Sequence, residues 1–302
     1  MAALLHRAVD VLAMWIADRQ QRSPTGFRPA DPAPLDCFGP LPALAGAPPR
    51  EGAWRTPSPR PSPGDPTLVV HARPALGPRR GTAILVPPWK VPRLGVVSGY
   101  ARLAAQAGLD VWTLVPPRHL DRAAPGTRSG EALFSPDVRA SRAAFEQLVA
   151  ELRALAALAA ARGEVAVVGI SLGALAAALA ATGPERVDRL ALLAPPADLA
   201  AIFEGTPIGR RYLRLAAGAG APCAAGEPLA RMLAPFRPDL RTPSARAVLL
   251  AVGREDRIAL PAGALALARA WRVEPRVYPR GHLTLLFGCR ALRRDLARFL
   301  AA

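Results

Sequence analysis

From residue 67 onward, short continuous apolar runs alternate with longer runs in which apolar residues recur every three to four positions. The first kind predicts strands over 67–71, 81–86, 109–115, 164–168, 187–193, 247–252 and 272–278. The second kind predicts helices over 94–107, 137–162, 172–182, 261–271 and 289–300. Gly108 and Gly163 close two of these helices, and Ser135 or Asp137 caps the start of the long one. Strands without polar alternation are buried on both faces, so the pattern predicts an α/β fold. Its sheet is mainly parallel and twisted, with helices on both sides. In such a sheet, functional residues gather beyond the carboxyl ends of the strands.

Three stretches break this rhythm. At the N-terminus, Leu4, Leu5, Ala8, Val11, Leu12, Trp15 and Ile16 recur at helical spacing, interrupted by charges. This predicts an amphipathic helix within 1–22 that packs its apolar stripe on the domain rather than on a membrane surface. The charges and the lack of a small-residue cleavage site argue against a signal peptide. Residues 23–66 carry a proline every few positions, which predicts an extended arm without regular helix or sheet. The third stretch, about 197–243 within the 67–302 domain, is too long for an ordinary crossover and is rich in glycine and proline. It predicts short helices forming a lid over the carboxyl edge of the sheet.

Composition narrows the function classes. The chain has 302 residues and a formal charge of +16, a value that normally points to nucleic acid. Lys90 is the only lysine, however, and the arginines are scattered without interleaved aromatics, in a chain crowded with alanine, proline and glycine. That bias matches the codon usage of a GC-rich genome and needs no nucleic-acid partner. Cys37, Cys223 and Cys289 are far apart and odd in number, which suits a reducing, cytoplasmic compartment. Neither they nor the histidines and acids show metal-ligand spacing, so no cofactor is expected. No uninterrupted apolar run has membrane-spanning length.

The candidate chemistry lies at Gly169-Ile170-Ser171-Leu172-Gly173, between a predicted strand and a predicted helix. A sharp strand-to-helix turn projects a serine hydroxyl from the sheet, and glycines two residues to either side avoid collision with the neighbouring backbone. The Leu172 N–H at the start of the helix then faces any developing negative charge. A serine needs a base to take its proton and an acid to orient that base. His282 follows the last predicted strand and is the candidate base, with His119 as the rival. Asp256 follows the strand over 247–252 and is the candidate acid, with Glu255 one residue away and Asp198 as the second choice. Lys90, His119 and Arg122 leave other strands on the same edge and are candidates for lining a pocket, where a basic loop would favour a polar or anionic acyl group.

The order Ser171, Asp256, His282, with the elbow motif, resembles the α/β-hydrolase superfamily over about 67–302. The resemblance implies an acyl-enzyme on Ser171, a proton shuttle through His282, and a small-molecule acyl substrate. The expected activity is that of a serine hydrolase acting on an ester, a thioester or an amide, akin to carboxylesterases and lipases. An acyltransferase using the same elbow and a non-catalytic scaffold are the alternatives. Many superfamily members carry His-Gly after the third strand, where the next residue supplies an oxyanion-hole N–H. This chain has Pro87-Pro88-Trp89-Lys90 there. Proline has no N–H, so the donors implied are Leu172 and Trp89, with Lys90 as the substitute for the latter.

Overall fold

The computed structural model describes residues 2–19, 36–134, 138–218 and 227–302. The cap expected at Ser135 or Asp137, most of the arm before residue 36, and Gly220, Pro222 and Cys223 lie outside these residues. In chain order the elements are α1 (Ala2–Arg19), β1 (Gly52–Ser62), β2 (Asp65–Arg73), β3 (Gly81–Val86), α2 (Ser98–Gln106), β4 (Leu109–Val115), α3 (Val138–Ala160), β5 (Glu164–Ile170), α4 (Leu172–Ala180), β6 (Arg189–Leu193), α5 (Leu199–Gly205), α6 (Pro207–Gly218), α7 (Glu227–Leu233), β7 (Ala247–Gly253), α8 (Pro261–Trp271), β8 (Arg276–Tyr278), α9 (His282–Gly288) and α10 (Arg290–Ala301).

The strands form one eight-stranded sheet in the order β1-β2-β4-β3-β5-β6-β7-β8. The β1–β2 and β2–β4 pairs are antiparallel and all the others parallel. Alternate residues of the apolar runs serve opposite faces, as the two-residue period of a strand requires. Ile84, Val86, Val165 and Val167 join the core beneath α3, α4 and α8. Ala83, Leu85, Ala166, Val168 and Ile170 join the core beneath α2, α9 and α10. Every residue of α4 is buried, so this alanine-rich helix has no solvent face. The small side chains let it lie close against the centre of the sheet.

The chain runs from β3 outward to β4, then returns to place β5 on the other side of β3. That reversal opens a crevice at the carboxyl ends of β3 and β5. Val86 lies opposite Gly169, so the segments after the two strands leave the sheet side by side. Between β6 and β7, the described residues form α5, α6 and α7, which share a small core of Phe203, Tyr212, Leu229, Met232 and Leu233. This is the helical insertion expected from the sequence.

Two expectations need correction. The arm was expected to hold no regular element, yet β1 is an eleven-residue strand containing Pro57, Pro59 and Pro61. It is the edge strand, and its register with β2 breaks between Pro57 and Ser62. Edges and register breaks are the places where a sheet tolerates proline, because no ladder N–H is demanded there. The second correction concerns α1, whose orientation is the reverse of that expected. His6, Asp10 and Met14 face the domain, while Leu4, Leu5, Leu12 and Trp15 are each at least half exposed. The helix is held by polar contacts: Arg7 pairs with Glu255 at 2.6 Å, Asp18 pairs with Arg211, and the Lys90 ammonium donates to the Ala17 carbonyl at 3.0 Å.

Smaller differences concern boundaries. The helix expected from 94 begins as a 3-10 turn, Leu94–Val97. The last strand is only three residues long, and Arg272, expected to open it, instead caps α8 in a left-handed conformation (φ 54°). The additional helix α9 carries His282 as its first residue.

Beneath β1 and β2 lies a buried ionic cluster. The Arg122 guanidinium donates to both oxygens of Glu151 (2.8 and 2.9 Å), to Asp65 (3.1 Å) and to the Val115 carbonyl (2.7 Å). Gln147 adds hydrogen bonds to Glu151 and to the Asp65 carbonyl. The cluster joins the loop after β4 to β2 and α3. Removing one partner of a buried pair leaves the other charge uncompensated. Glu151→Ala is therefore expected to lower stability by about 3 kcal/mol, read as a shift in the urea midpoint at constant m-value.

Candidate active site

Ser171 sits between β5 and α4 with φ 54° and ψ −120°, a conformation that costs a non-glycine residue energy. The surroundings hold it there. Its N–H donates to the Leu193 carbonyl at 2.8 Å, extending the β5–β6 ladder into the turn. A Cβ on Gly169 would come within 2.5 Å of the Ala174 Cα, and one on Gly173 within 2.3 Å of the Val86 carbonyl oxygen. Both positions therefore require glycine, and the approach at Gly173 brings the start of α4 against the end of β3.

The structure brings together the three residues singled out as nucleophile, base and acid. Ser171 Oγ lies 2.9 Å from His282 Nε2, and His282 Nδ1 lies 2.7 Å from Asp256 Oδ2. His282 and Asp256 are both buried. A carboxylate only accepts, so His282 Nδ1 carries the proton and Nε2 is the acceptor for the serine hydroxyl. Burial alone would lower the pKa of this imidazole. The charge and hydrogen bond of Asp256, with the charge of Asp10, outweigh burial and raise it. The second oxygen of Asp256 accepts from the Ile258 and Ala259 N–H groups, each at 2.8 Å, which fixes the carboxylate plane.

The competing acids are engaged elsewhere. Asp198 caps α5 by accepting from the Ala201 N–H and faces Arg237 at 3.5 Å. Glu255 pairs with Arg7 on α1. Among the described residues, no group of histidines, cysteines and acids is arranged to hold a metal ion, and no helix is long and apolar enough to cross a membrane. Cys37 and Cys289 are buried free thiols.

Two cavities meet at Ser171. The larger, about 370 Å³, is lined by residues of α1 and α9, by the segment from Pro88 to Pro92 and by Ile258; Lys90 contributes its one ammonium group. The smaller, about 90 Å³, lies under the insertion and is lined by Leu172, Phe134, Pro196, Ile202, Phe203 and Tyr212, among others. Trp89, Ile208 and Ile258 border both. Trp89 is wedged in place. Its indole N–H donates to the Gly130 carbonyl at 2.8 Å, and its ring meets Phe134 edge-on with centroids 5.0 Å apart.

His119 and Arg122 stand away from the cavities for which the sequence made them candidates. Arg122 belongs to the buried ionic cluster. His119 is fully buried, with Nδ1 at 2.8 Å from the Pro117 carbonyl and Nε2 accepting from the Lys90 N–H at 3.1 Å. Burial pushes its pKa down to about 4, which keeps it neutral and able to accept. Gly130 lets the ring in, since a Cβ there would stand 2.5 Å from His119 Nε2. His119 thus braces Lys90, whose φ is 56°, and with it the turn after β3. Sequence reasoning missed this role. The sequence carries no signal for it, because Lys90 and His119 are 29 residues apart and meet only in the fold.

No protein-family model matches the sequence, and no similar protein was found among curated proteins. Solved structures do match. An acetyl xylan esterase from Paenibacillus sp. R4 aligns with a TM-score of 0.56 at 13% identity over 96% of this chain and 94% of that one. The acylaminoacyl peptidase of Pyrococcus horikoshii aligns at 0.55 and 13% identity over 86% of this chain, which spans 40% of the peptidase. The monoacylglycerol lipase of Paleococcus ferrophilus aligns at 0.53 and 16% identity over 77% of this chain and 98% of that one. The chain has the α/β-hydrolase fold.

The buried neutral His119 makes stability depend on pH. Its folded pKa lies below the ordinary 6.5, so the unfolded state takes up the proton first as pH falls. Its contribution is complete above about pH 6.5 and is lost as pH falls toward about 4, a total of up to ~3 kcal/mol. Urea unfolding across this range should show a smaller loss for His119→Gln than for the wild type.

Proposed function

We propose that the protein is a serine hydrolase that cleaves an ester through an acyl-enzyme on Ser171. The observation that carries this reading is the unbroken chain from hydroxyl to imidazole to buried carboxylate, with the hydroxyl at the junction of two cavities. The likeness in fold to proteins described as an esterase, a lipase and a peptidase supports it at the level of reaction class.

In the first half-reaction Ser171 Oγ attacks the acyl carbon and its proton passes to His282 Nε2. The C–O bond to the alcohol then breaks, and His282 delivers that proton to the departing oxygen. In the second half a water attacks the acyl-enzyme, giving a proton to His282, which returns it to Ser171 Oγ as the acid is released. Asp256 keeps the proton on Nδ1 and stabilises the imidazolium throughout. The Leu172 N–H, first in α4 and without an intrahelical acceptor, supplies one oxyanion donor. The Lys90 N–H is already taken by His119, which favours Trp89 as the second donor. The mostly apolar cavity walls suit an ester with apolar groups on both sides of the carbonyl.

A panel of p-nitrophenyl esters of increasing acyl length tests the assignment. Ser171→Ala should abolish turnover in a folded protein, and full activity in that variant would refute the reading. The pH profile adds a second check. The base must be neutral, so kcat/KM should rise with pH through a midpoint above the ordinary histidine value, as its raised pKa requires. Asp256→Asn should move that limb to lower pH while reducing kcat by orders of magnitude.

A further inference from the structure

Asp10 lies on α1, some 270 residues from His282 in sequence, and is completely buried. A buried carboxylate needs partners, and it finds three, all of them backbone N–H groups. Its Oδ2 accepts from His282 at 2.7 Å and from Arg257 at 3.2 Å, and its Oδ1 accepts from Leu283 at 3.1 Å. His282 and Leu283 open α9, so their N–H groups have no partner within the helix. Arg257 is the residue after Asp256.

We propose that Asp10 is a positioning residue for the base: one carboxylate from the first helix ties together the two loop segments that carry Asp256 and His282. The inference rests on the serine-hydrolase reading above. The ladder of β7 and β8 itself ends before either residue. Beyond Gly253 and Tyr278, the last pair of β7 and β8, two further backbone bonds join the loops, from the Arg254 N–H to the Tyr278 carbonyl at 2.8 Å and from the Glu255 N–H to the Arg280 carbonyl at 3.0 Å. Those bonds stop short of Asp256 and His282, where the direct contact is the hydrogen bond between the two side chains, and Asp10 adds a link through the backbone N–H groups of Arg257, His282 and Leu283. Gly281 is shaped for this arrangement, because a Cβ there would stand 2.7 Å from both Asp10 Oδ2 and the His6 carbonyl oxygen. The reversed orientation of α1 has the same origin. The helix turns its charged side inward because the backbone donors of Arg257, His282 and Leu283 lie there.

Asp10 also acts through its charge, which favours the imidazolium form of His282. The other charged or titratable groups around the base are Asp256, Glu255 and Arg257 after β7, His6 and Arg7 on α1, Lys90 across the larger cavity, and Arg280 on the loop before α9. Arg280 contacts His6 Nε2 at 3.2 Å, and Glu255 is neutralised by Arg7. His6 is a second imidazole near the base, so each measurement is repeated in a His6→Gln background.

The test compares the full-length wild type with Asp10→Asn and Gly281→Ala, using a short soluble p-nitrophenyl ester and the NMR titration of the His282 ring. Asp10→Asn keeps the shape but removes the charge and turns an amide group toward one of the donors. It should lower kcat by about tenfold to a hundredfold with little change in KM. The acidic limb and the ring titration should both move to lower pH. Gly281→Ala displaces the carboxylate without removing its charge, and should lower kcat comparably with a smaller movement of the titration. A folded Asp10→Asn variant with wild-type kcat and an unmoved ring titration would overturn the proposal. So would a Gly281→Ala variant that is fully active, should Asp10→Asn fail to fold. Either result with Ser171-dependent turnover intact would leave the serine-hydrolase reading standing, whereas Ser171-independent turnover would remove that reading first.

Discussion

The backbone of Ser171 is the constraint on which the rest of the site depends. A non-glycine residue at φ 54° is held against its own preference, and what holds it is a close three-way approach of β5, α4 and the end of β3. The strand fixes the residue before the turn through its ladder on both sides. The helix fixes the residue after it through complete burial of all nine of its residues. Two glycines make the approach sterically feasible. With the turn locked, the Ser171 side chain is carried off the end of β5, where the loops after β7 and β8 bring His282 and Asp256 to it.

The remaining parts of the candidate site are braced in the same manner, by hydrogen bonds from outside the trio of Ser171, His282 and Asp256. Asp256 spends one oxygen on two backbone N–H groups so that the other faces His282. The turn after β3 is pinned by a neutral, fully buried His119 and by the Trp89 indole bonded to Gly130. Burial acts in the same direction on the two histidines, but the outcomes are opposite. Among the described residues His119 has no carboxylate partner, and desolvation drives its pKa down; His282 has Asp256, and the charge interaction wins. One imidazole is kept as a fixed acceptor while the other is able to gain and lose a proton.

Much of this was legible in the sequence, for reasons that differ from element to element. The central strands carry continuous apolar runs because both faces are covered, and β3, β4 and α8 occupy the predicted residues. Ser171, Asp256 and His282 were legible because each follows a strand and parallel strands share one functional edge. What stayed hidden depends on tertiary position. The prolines of β1 argue against a strand until the strand is known to be at the edge. The apolar stripe of α1 predicts the wrong face, because three backbone donors elsewhere in the chain recruit Asp10 and outweigh the hydrophobic pattern. His119 and Arg122 look like pocket residues on a loop at the right edge, but their partners, the Lys90 N–H and Glu151, come from segments that sequence spacing does not connect.

The direct test of the nucleophile is covalent labelling by a fluorophosphonate followed by intact-mass measurement and peptide mapping. A hydroxyl activated by His282 should add one phosphonyl group per chain, on the peptide containing Ser171, and heat-denatured protein should add none. A folded protein that stays unlabelled, or that carries the group on another residue, would contradict the assignment of Ser171 as an activated serine.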